Sequence, residues 1–129
     1  MPYYSSKVVS LTFEGAIAKI KENLKKEGFG ILTESDMKET FKNKLGVDFR
    51  NYRILGACSP RFAYEALQAE DKLGVLLPCN IVVQETATGA VEVAAIRPTE
   101  TMRVVGSEAL VAIAREIEEK LTRAIDTLP

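Results

Sequence analysis

The chain has 129 residues, of which 47% are hydrophobic and 27% charged, and its formal net charge is -1. This length is close to the commonest domain size and supplies enough apolar material for one core, so we expect a single domain over residues 1–129. The balanced charge excludes a global field that would recruit nucleic acid or an anionic membrane. Because no signal-peptide pattern opens the chain and no apolar run approaches a membrane span, we expect a cytoplasmic protein without nucleic-acid or membrane partners.

The content of histidine and cysteine limits the chemistry. The sequence contains no histidine and two cysteines, Cys58 and Cys79. The missing histidine removes the commonest metal ligand and the commonest general base. Two thiols are too few for a disulfide framework or for a structural zinc site within one chain. The sequence therefore predicts no metal and no cofactor, and it leaves enzymatic activity open.

The first half of the chain shows alternating strand and helix signals. Turn glycines and capping residues separate them. In order, they predict a strand over residues 2–10, a helix between Thr12 and Gly28, a short strand at 29–32 and a helix between Asp36 and Gly46. The spacing of Met37, Phe41 and Leu45 predicts the inward face of that second helix.

The second half is richer in β-branched residues and ends in a long amphipathic helix. Cap and hairpin signals again set the boundaries. They predict a strand over 52–58, a helix starting at Pro60 with Ser59 as its cap, a strand over 75–85, a turn at 86–90, a strand over 91–97 and a last helix capped by Ser107 or Gly106.

These elements predict an α+β fold, a two-layer sandwich with one mainly antiparallel sheet of about five strands. Two long helices pack on one face and shorter helices lie at the edges. The opposite sheet face is expected to be partly apolar and in need of a cover, for which homodimerisation is the simplest solution. Its apolar residues are expected to be Leu55, Ala57, Leu76, Val82, Ala94 and Ile96.

Cys58 lies between a predicted strand and a predicted helix start. Free backbone N–H groups at a helix start and the nearby Arg61 would both lower a thiol pKa and favour a reactive thiolate or an anion-binding turn. The alternative is a small buried core residue, because free cysteine is among the most buried residue types.

Cys79 lies between Pro78 and Asn80 in a strongly β-forming stretch. Proline cannot donate a ladder hydrogen bond and asparagine needs a polar partner, so this tripeptide could mark a bulge and a pocket wall. The alternative is that Cys79 is simply a core residue of its strand.

Three weaker candidates have simple structural explanations. Tyr3, Tyr4 and Tyr52 could line a pocket or could only pack. Glu85 and Glu92 could be cross-strand carboxylates suited to acid–base work, or an exposed hairpin face. Residues 97–100 end a strand with a charged pair. Strand ends often host sites, but this segment could equally form an ordinary loop.

Two segments carry a family resemblance. Ile54-Leu55-Gly56-Ala57-Cys58-Ser59-Pro60 and Gly74-Val75-Leu76-Leu77-Pro78-Cys79-Asn80-Ile81-Val82-Val83 resemble the domain of unknown function 302 family over nearly the whole chain. Ser59 stands where asparagine is common, a mild change between two helix-capping residues. The resemblance implies a small two-layer α+β protein and a dimer. It carries over no activity, substrate or cofactor.

The leading hypothesis is a homodimeric domain that binds a small ligand. Its site is expected near the Cys58–Arg61 turn and the Pro78–Asn80 segment. The candidate residues are Cys58, Ser59, Arg61, Pro78, Cys79 and Asn80. Two alternatives are a thiol-redox protein or enzyme using Cys58 as thiolate, and an interaction module without chemistry. Sulfurs close together beside a cavity would favour thiol or soft-metal chemistry.

Overall fold

The computed structural model describes residues 2–129. Five strands form one sheet in the order β1-β5-β4-β3-β2, and every neighbouring pair is antiparallel. The strands are β1 (Tyr4–Val9), β2 (Gly30–Asp36), β3 (Tyr52–Cys58), β4 (Cys79–Glu85) and β5 (Val91–Ile96). The edge strand β2 carries a register shift between Ile31 and Thr33, where its pairing with β3 is interrupted by a bulge.

The helices connect the strands, and the two longest of them pack on one face of the sheet. They are α1 (Phe13–Lys26), α2 (Met37–Leu45), α3 (Pro60–Ala69), α4 (Pro98–Thr101) and α5 (Glu108–Asp126), with 3₁₀ turns at Leu73–Leu76 and Met102–Val105. The apolar faces of α1 and α5 form the main core together with alternate residues of the strands. This arrangement is the predicted α+β two-layer sandwich, with two long helices on one face.

Several predicted helix ends are confirmed in detail. The Thr12 side chain accepts a hydrogen bond from the N–H of Gly15 at 3.0 Å, and Asp36 Oδ1 accepts one from Glu39 at the same distance. These bonds satisfy helix N–H groups that have no acceptor within the helix. Gly46 follows α2 with φ of +67°, a left-handed conformation that glycine adopts without steric cost.

Three predictions about elements are wrong. The strand placed over 75–85 begins only at Cys79, because the chain first makes a 3₁₀ turn and Pro78 cannot donate to the ladder. Val75 is consequently 86% exposed. The short strand at 29–32 extends to Asp36. The predicted inward face of α2 is not buried: none of the α2 residues is buried and Leu45 is 68% exposed, so α2 adds little to the core.

The assignment of Leu55 and Ala57 to the uncovered face is also wrong. Both side chains are completely buried under the helices, and Leu55 pairs with the equally buried Ile81 on β4. Residues 54–58 are apolar on both parities, so composition does not show which set faces the helices. Leu76 lies in the 3₁₀ turn outside the sheet. The uncovered face, called the open face below, therefore takes the other parity of β3.

Candidate functional site

Both cysteines line one small cavity at the end of the sheet. Cys58 is the last residue of β3, and Cys79 is the first residue of β4, paired with Ala57. The cavity has a volume of about 20 Å³, enough for about one water molecule. Its lining residues are Phe29, Ala57, Cys58, Ser59, Phe62, Ala63, Ala66, Leu77, Pro78, Cys79, Met102, Ile113 and Ile117. Two separate sequence motifs therefore meet at one point, which we call the sulfur cavity.

Met102 brings a third sulfur-bearing side chain to the sulfur cavity. It follows α4 in the chain and is 6% exposed. Nothing in its local sequence indicates this position, because it depends on how the segment after β5 folds back against α5. Sequence reasoning therefore missed it, and only its membership of the core could have been suspected.

The expected lowering of the Cys58 pKa is not found. Burial raises the pKa of Cys58 above its usual value. Arg61 does not oppose this effect: its side chain is 78% exposed, lies 3.8 Å from Glu65 and stacks over the Phe62 ring. Burial, reinforced by the neighbouring Cys58 thiol, raises the pKa of Cys79 to about 11. Both thiols are therefore protonated at neutral pH.

Ser59 precedes α3 as predicted, but its side chain makes no capping hydrogen bond. The residue is buried, and Pro60 occupies the first helical position. Pro60 has no N–H group, and the remaining backbone N–H groups in the first turn of α3 receive no acceptor from the Ser59 side chain. The start of α3 therefore lies next to Cys58 at one end of the sulfur cavity. No capping side chain compensates the positive end of this helix dipole.

We predict slow alkylation of both thiols in the native protein. At pH 7, iodoacetamide should modify Cys58 and Cys79 more than about 10-fold slower than in urea, because a protonated thiol is a poor nucleophile and the partial burial of Cys58 and the full burial of Cys79 restrict access. The folded pKa of Cys79 is above the unfolded value of about 8.5. Its contribution to stability is therefore complete below about pH 8.5 and is lost as the pH rises toward about 11.

Mass spectrometry of both modified peptides measures the rates, and the urea-unfolded protein is the control. Rapid alkylation of Cys58 in the native protein at pH 7 would contradict the burial argument and support the thiolate alternative. Unfolding experiments test the pH dependence. Because the Cys79→Ala variant lacks this thiol, its free energy of unfolding should fall less above about pH 8.5 than that of the wild type.

A second, larger depression lies on the open face, and we call it the open-face groove. Its volume is about 470 Å³. Its floor comes from β4 and β5, and tyrosines stand at its two ends. The lining residues are Tyr3, Tyr4, Tyr52, Asn80, Val82, Gln84, Glu92, Ala94, Ala95 and Ile96. The tyrosines were only weak candidates in the sequence, because their meeting depends on the strand order.

A row of polar side chains crosses one end of the groove. Gln84 donates a hydrogen bond to Glu92 at 3.1 Å and accepts one from Arg50 at 2.9 Å. The Arg50 guanidinium also lies 5.4 Å from the centre of the Tyr52 ring. The Gln84 amide therefore links the Glu92 carboxylate to the Arg50 guanidinium. The Glu92 carboxylate can still accept further hydrogen bonds.

The hypothesis that Glu85 and Glu92 act as paired carboxylates is wrong. The register places Glu85 opposite Val91 and Glu92 opposite Gln84. Since side chains alternate along a strand, the two carboxylates lie on opposite faces of the sheet. Asn51 donates a hydrogen bond to Glu85 at 2.7 Å. Glu85 thus has a structural partner away from the groove.

The predicted ligand-binding residues divide between the two places. Cys58, Ser59, Pro78 and Cys79 line the sulfur cavity, whereas Asn80 faces the groove. Pro78 also approaches Gly56 on β3, and the Leu77-Pro78 peptide bond is cis. Arg61 lines neither depression.

The charged pair at the end of β5 has a structural explanation. Glu118 on α5 lies 3.3 Å from Arg97 and accepts hydrogen bonds from the N–H and hydroxyl of Thr99. One carboxylate therefore ties the end of β5 and the start of α4 to the long helix. This arrangement accounts for residues 97–100 without a ligand.

Comparisons with known proteins agree with this fold. The family model for "Domain of unknown function DUF302" matches residues 5–128. An uncharacterized conserved DUF302 protein from Bacillus stearothermophilus, known from its crystal structure, is 30% identical with a TM-score of 0.93, and the match covers 100% of both chains. No curated protein gives a significant match. Within residues 2–129, none of the helices combines the length and apolar character needed to cross a membrane.

Proposed function

Because the chain belongs to the DUF302 family, whose description assigns no activity, we propose a function from geometry: a small-ligand-binding domain whose site is the open-face groove. The observation that carries the proposal is the groove itself. Its volume of about 470 Å³ falls within the range of about 300–1,000 Å³ typical of small-molecule sites.

The lining favours a flat, partly polar ligand. Val82, Ala94 and Ile96 provide an apolar floor, and tyrosine rings at the ends offer faces for stacking. Asn80 and the Gln84–Glu92 pair supply a few hydrogen-bonding groups that would orient the ligand. A concave apolar floor with few convergent polar groups is the usual composition of a ligand site.

The groove replaces the Cys58–Arg61 turn as the centre of the proposed ligand site. The sulfur cavity, at about 20 Å³, is too small for an organic molecule, and Arg61 faces solvent. Asn80 is the predicted site residue that remains in the proposed site. The raised thiol pKa values also weigh against the thiolate-enzyme alternative.

Binding of aromatic fragments tests this proposal. Phenol, indole and benzamide are titrated into ¹⁵N-labelled protein, and we expect amide shifts concentrated on β4 and β5. Ala94→Phe should abolish these shifts, because it fills the floor of the groove. Ala87→Phe, in the exposed hairpin turn, is the matched control and should leave them unchanged. Shifts confined to other surfaces, or none at all, would overturn the proposal.

The second candidate is a homodimer formed through the open face. The observation that favours it is the exposure of apolar side chains there: Tyr3 is 68% exposed and Val8 is 61% exposed. A second copy seated on this face would occlude the groove. Sedimentation velocity on the same samples distinguishes the dimer from the ligand site. A stable dimer that shows no fragment-induced shifts would indicate that the open face is an interface between two copies and not a ligand site.

A further inference from the structure

Among the strand residues that the structure describes, Glu92 is the single charged side chain on the open face. Strand residues alternate between the two faces of a sheet, and the register aligns Glu92 with Val8 and Gln84, which belong to the open face. The other charged strand residues are aligned with the parity that packs under the helices: Lys7, Glu34, Asp36, Arg53 and Glu85. The open face therefore has a negative charge and no basic side chain from its own strands.

Glu92 is partly buried and lacks a cationic partner. Its carboxylate accepts a hydrogen bond from the neutral amide of Gln84 at 3.1 Å. Within residues 2–129, the ion pairs of the protein do not include Glu92. Two charges attract each other more strongly beside protein than in open water, because the local dielectric is lower. A bound cation would therefore be stabilised at this carboxylate.

Arg50 does not fill this role. Its guanidinium donates a hydrogen bond to Oε1 of Gln84 at 2.9 Å and lies 4.4 Å from the centre of the Phe49 ring and 5.4 Å from that of Tyr52. It is not part of the groove lining, in which Glu92 is the charged member. Arg50 therefore contacts the Tyr52 ring, whereas Tyr3 and Tyr4 at the opposite end keep accessible rings.

The groove is long enough for a ligand that reaches from Glu92 to these tyrosines. Tyr4 lies four residues from Val8, the partner of Glu92, so the backbone positions of Tyr4 and Glu92 are about 13 Å apart at ~3.3 Å per residue. Ala94 and Ile96 form an apolar floor between them. The Tyr3 and Tyr4 rings, with centres 5.1 Å apart in an edge-to-face arrangement, form an aromatic wall at the far end.

We propose that the open-face groove selects organic amines with one positive charge and an aromatic body. The ammonium group donates hydrogen bonds to the free acceptor positions of Glu92, and the ring lies over Ala94 and Ile96 toward the tyrosines. Anionic ligands are disfavoured, because Glu92 repels them. This inference rests on the proposed ligand site and names the class of ligand that the site takes.

Three ligands that share a phenyl ring and a three-carbon chain test the charge preference: 3-phenylpropylamine, 3-phenylpropanol and 3-phenylpropanoate. Each is titrated at pH 7 into ¹⁵N-labelled protein, and its Kd is taken from the amide shifts on β4 and β5. We expect the amine to bind about 10-fold more tightly than the alcohol, because it adds a charge-assisted hydrogen bond to Glu92. The carboxylate should bind most weakly. This comparison uses the wild-type protein alone.

Glu92→Gln should weaken amine binding to about the level of the alcohol and change alcohol binding by less than about 2-fold. Glutamine can still accept the hydrogen bond from Gln84. Glu85→Gln is the matched control, since it removes the same charge from the opposite face of the same sheet. It should leave the preference for the amine intact.

The outcomes separate this inference from the proposed ligand site. Equal affinity for the amine and the alcohol, with shifts on β4 and β5, would overturn the preference for cations and leave the ligand site standing. Equal loss of amine binding in Glu85→Gln and Glu92→Gln would also overturn it, because a general field and not a contact would then attract the amine. Absence of shifts with all three compounds would overturn both.

Discussion

Leu55→Ala is expected to lower the free energy of unfolding by about 2–5 kcal/mol. Leu55 is completely buried, where β3 packs under the helices opposite Ile81. Truncation removes apolar contacts and leaves a cavity that the neighbouring strands and helices can only partly fill. Urea unfolding followed by circular dichroism measures the change as a lower midpoint at constant slope.

Leu32→Ala is the matched control, because Leu32 is 65% exposed on the edge strand β2. Its effect should lie within about 0.5 kcal/mol of the wild type. The comparison also tests the assignment of sheet faces. If Leu55 were on the open face, the two substitutions would have similar small effects.

Gly56→Ala is expected to destabilise the protein by about 1–3 kcal/mol. A Cβ atom at this position would overlap Thr33 Oγ1 and lie 2.6 Å from Cγ of Pro78. The Thr33 hydroxyl can turn away, but the proline ring has little freedom, so the strain must spread to β4 or to the segment before it. Thermal and urea unfolding both report this loss.

Gly30→Ala provides the control within the same sheet, since no heavy atom lies within 4 Å of its added Cβ. It should change stability by less than about 1 kcal/mol. Adding Thr33→Ala to Gly56→Ala should recover only part of the loss, because the contact with Pro78 remains. Full recovery would show that the proline does not approach β3 as closely as described.

The sequence predicts features that depend on short-range chemistry. Thr12, Asp36 and Gly46 mark helix ends through local hydrogen bonds and backbone conformation, and all are confirmed. The apolar spacing along α5 likewise predicts its buried face, because a single period applies over the whole helix. These predictions needed no knowledge of which strands are neighbours.

Features that depend on strand register could not be predicted in the same way. Leu55 and its neighbours are apolar on both parities, so only their pairing with β4 identifies the buried set. The open-face groove requires Tyr4 and Tyr52 to lie on strands that are distant in the sequence but share one sheet. The motifs around Cys58 and Cys79 indicated the right region, but Met102 enters the sulfur cavity through tertiary packing alone.

The bulge in β2 has a consequence for the behaviour of the protein at high concentration. An exposed edge strand offers unpaired N–H and C=O groups that can template another chain, and regular, flat edges do so best. The register shift between Ile31 and Thr33 breaks the regular repeat along this edge. A strand from a second molecule therefore cannot continue the ladder along the full length of β2, which disfavours open-ended fibrils growing from this side of the sheet.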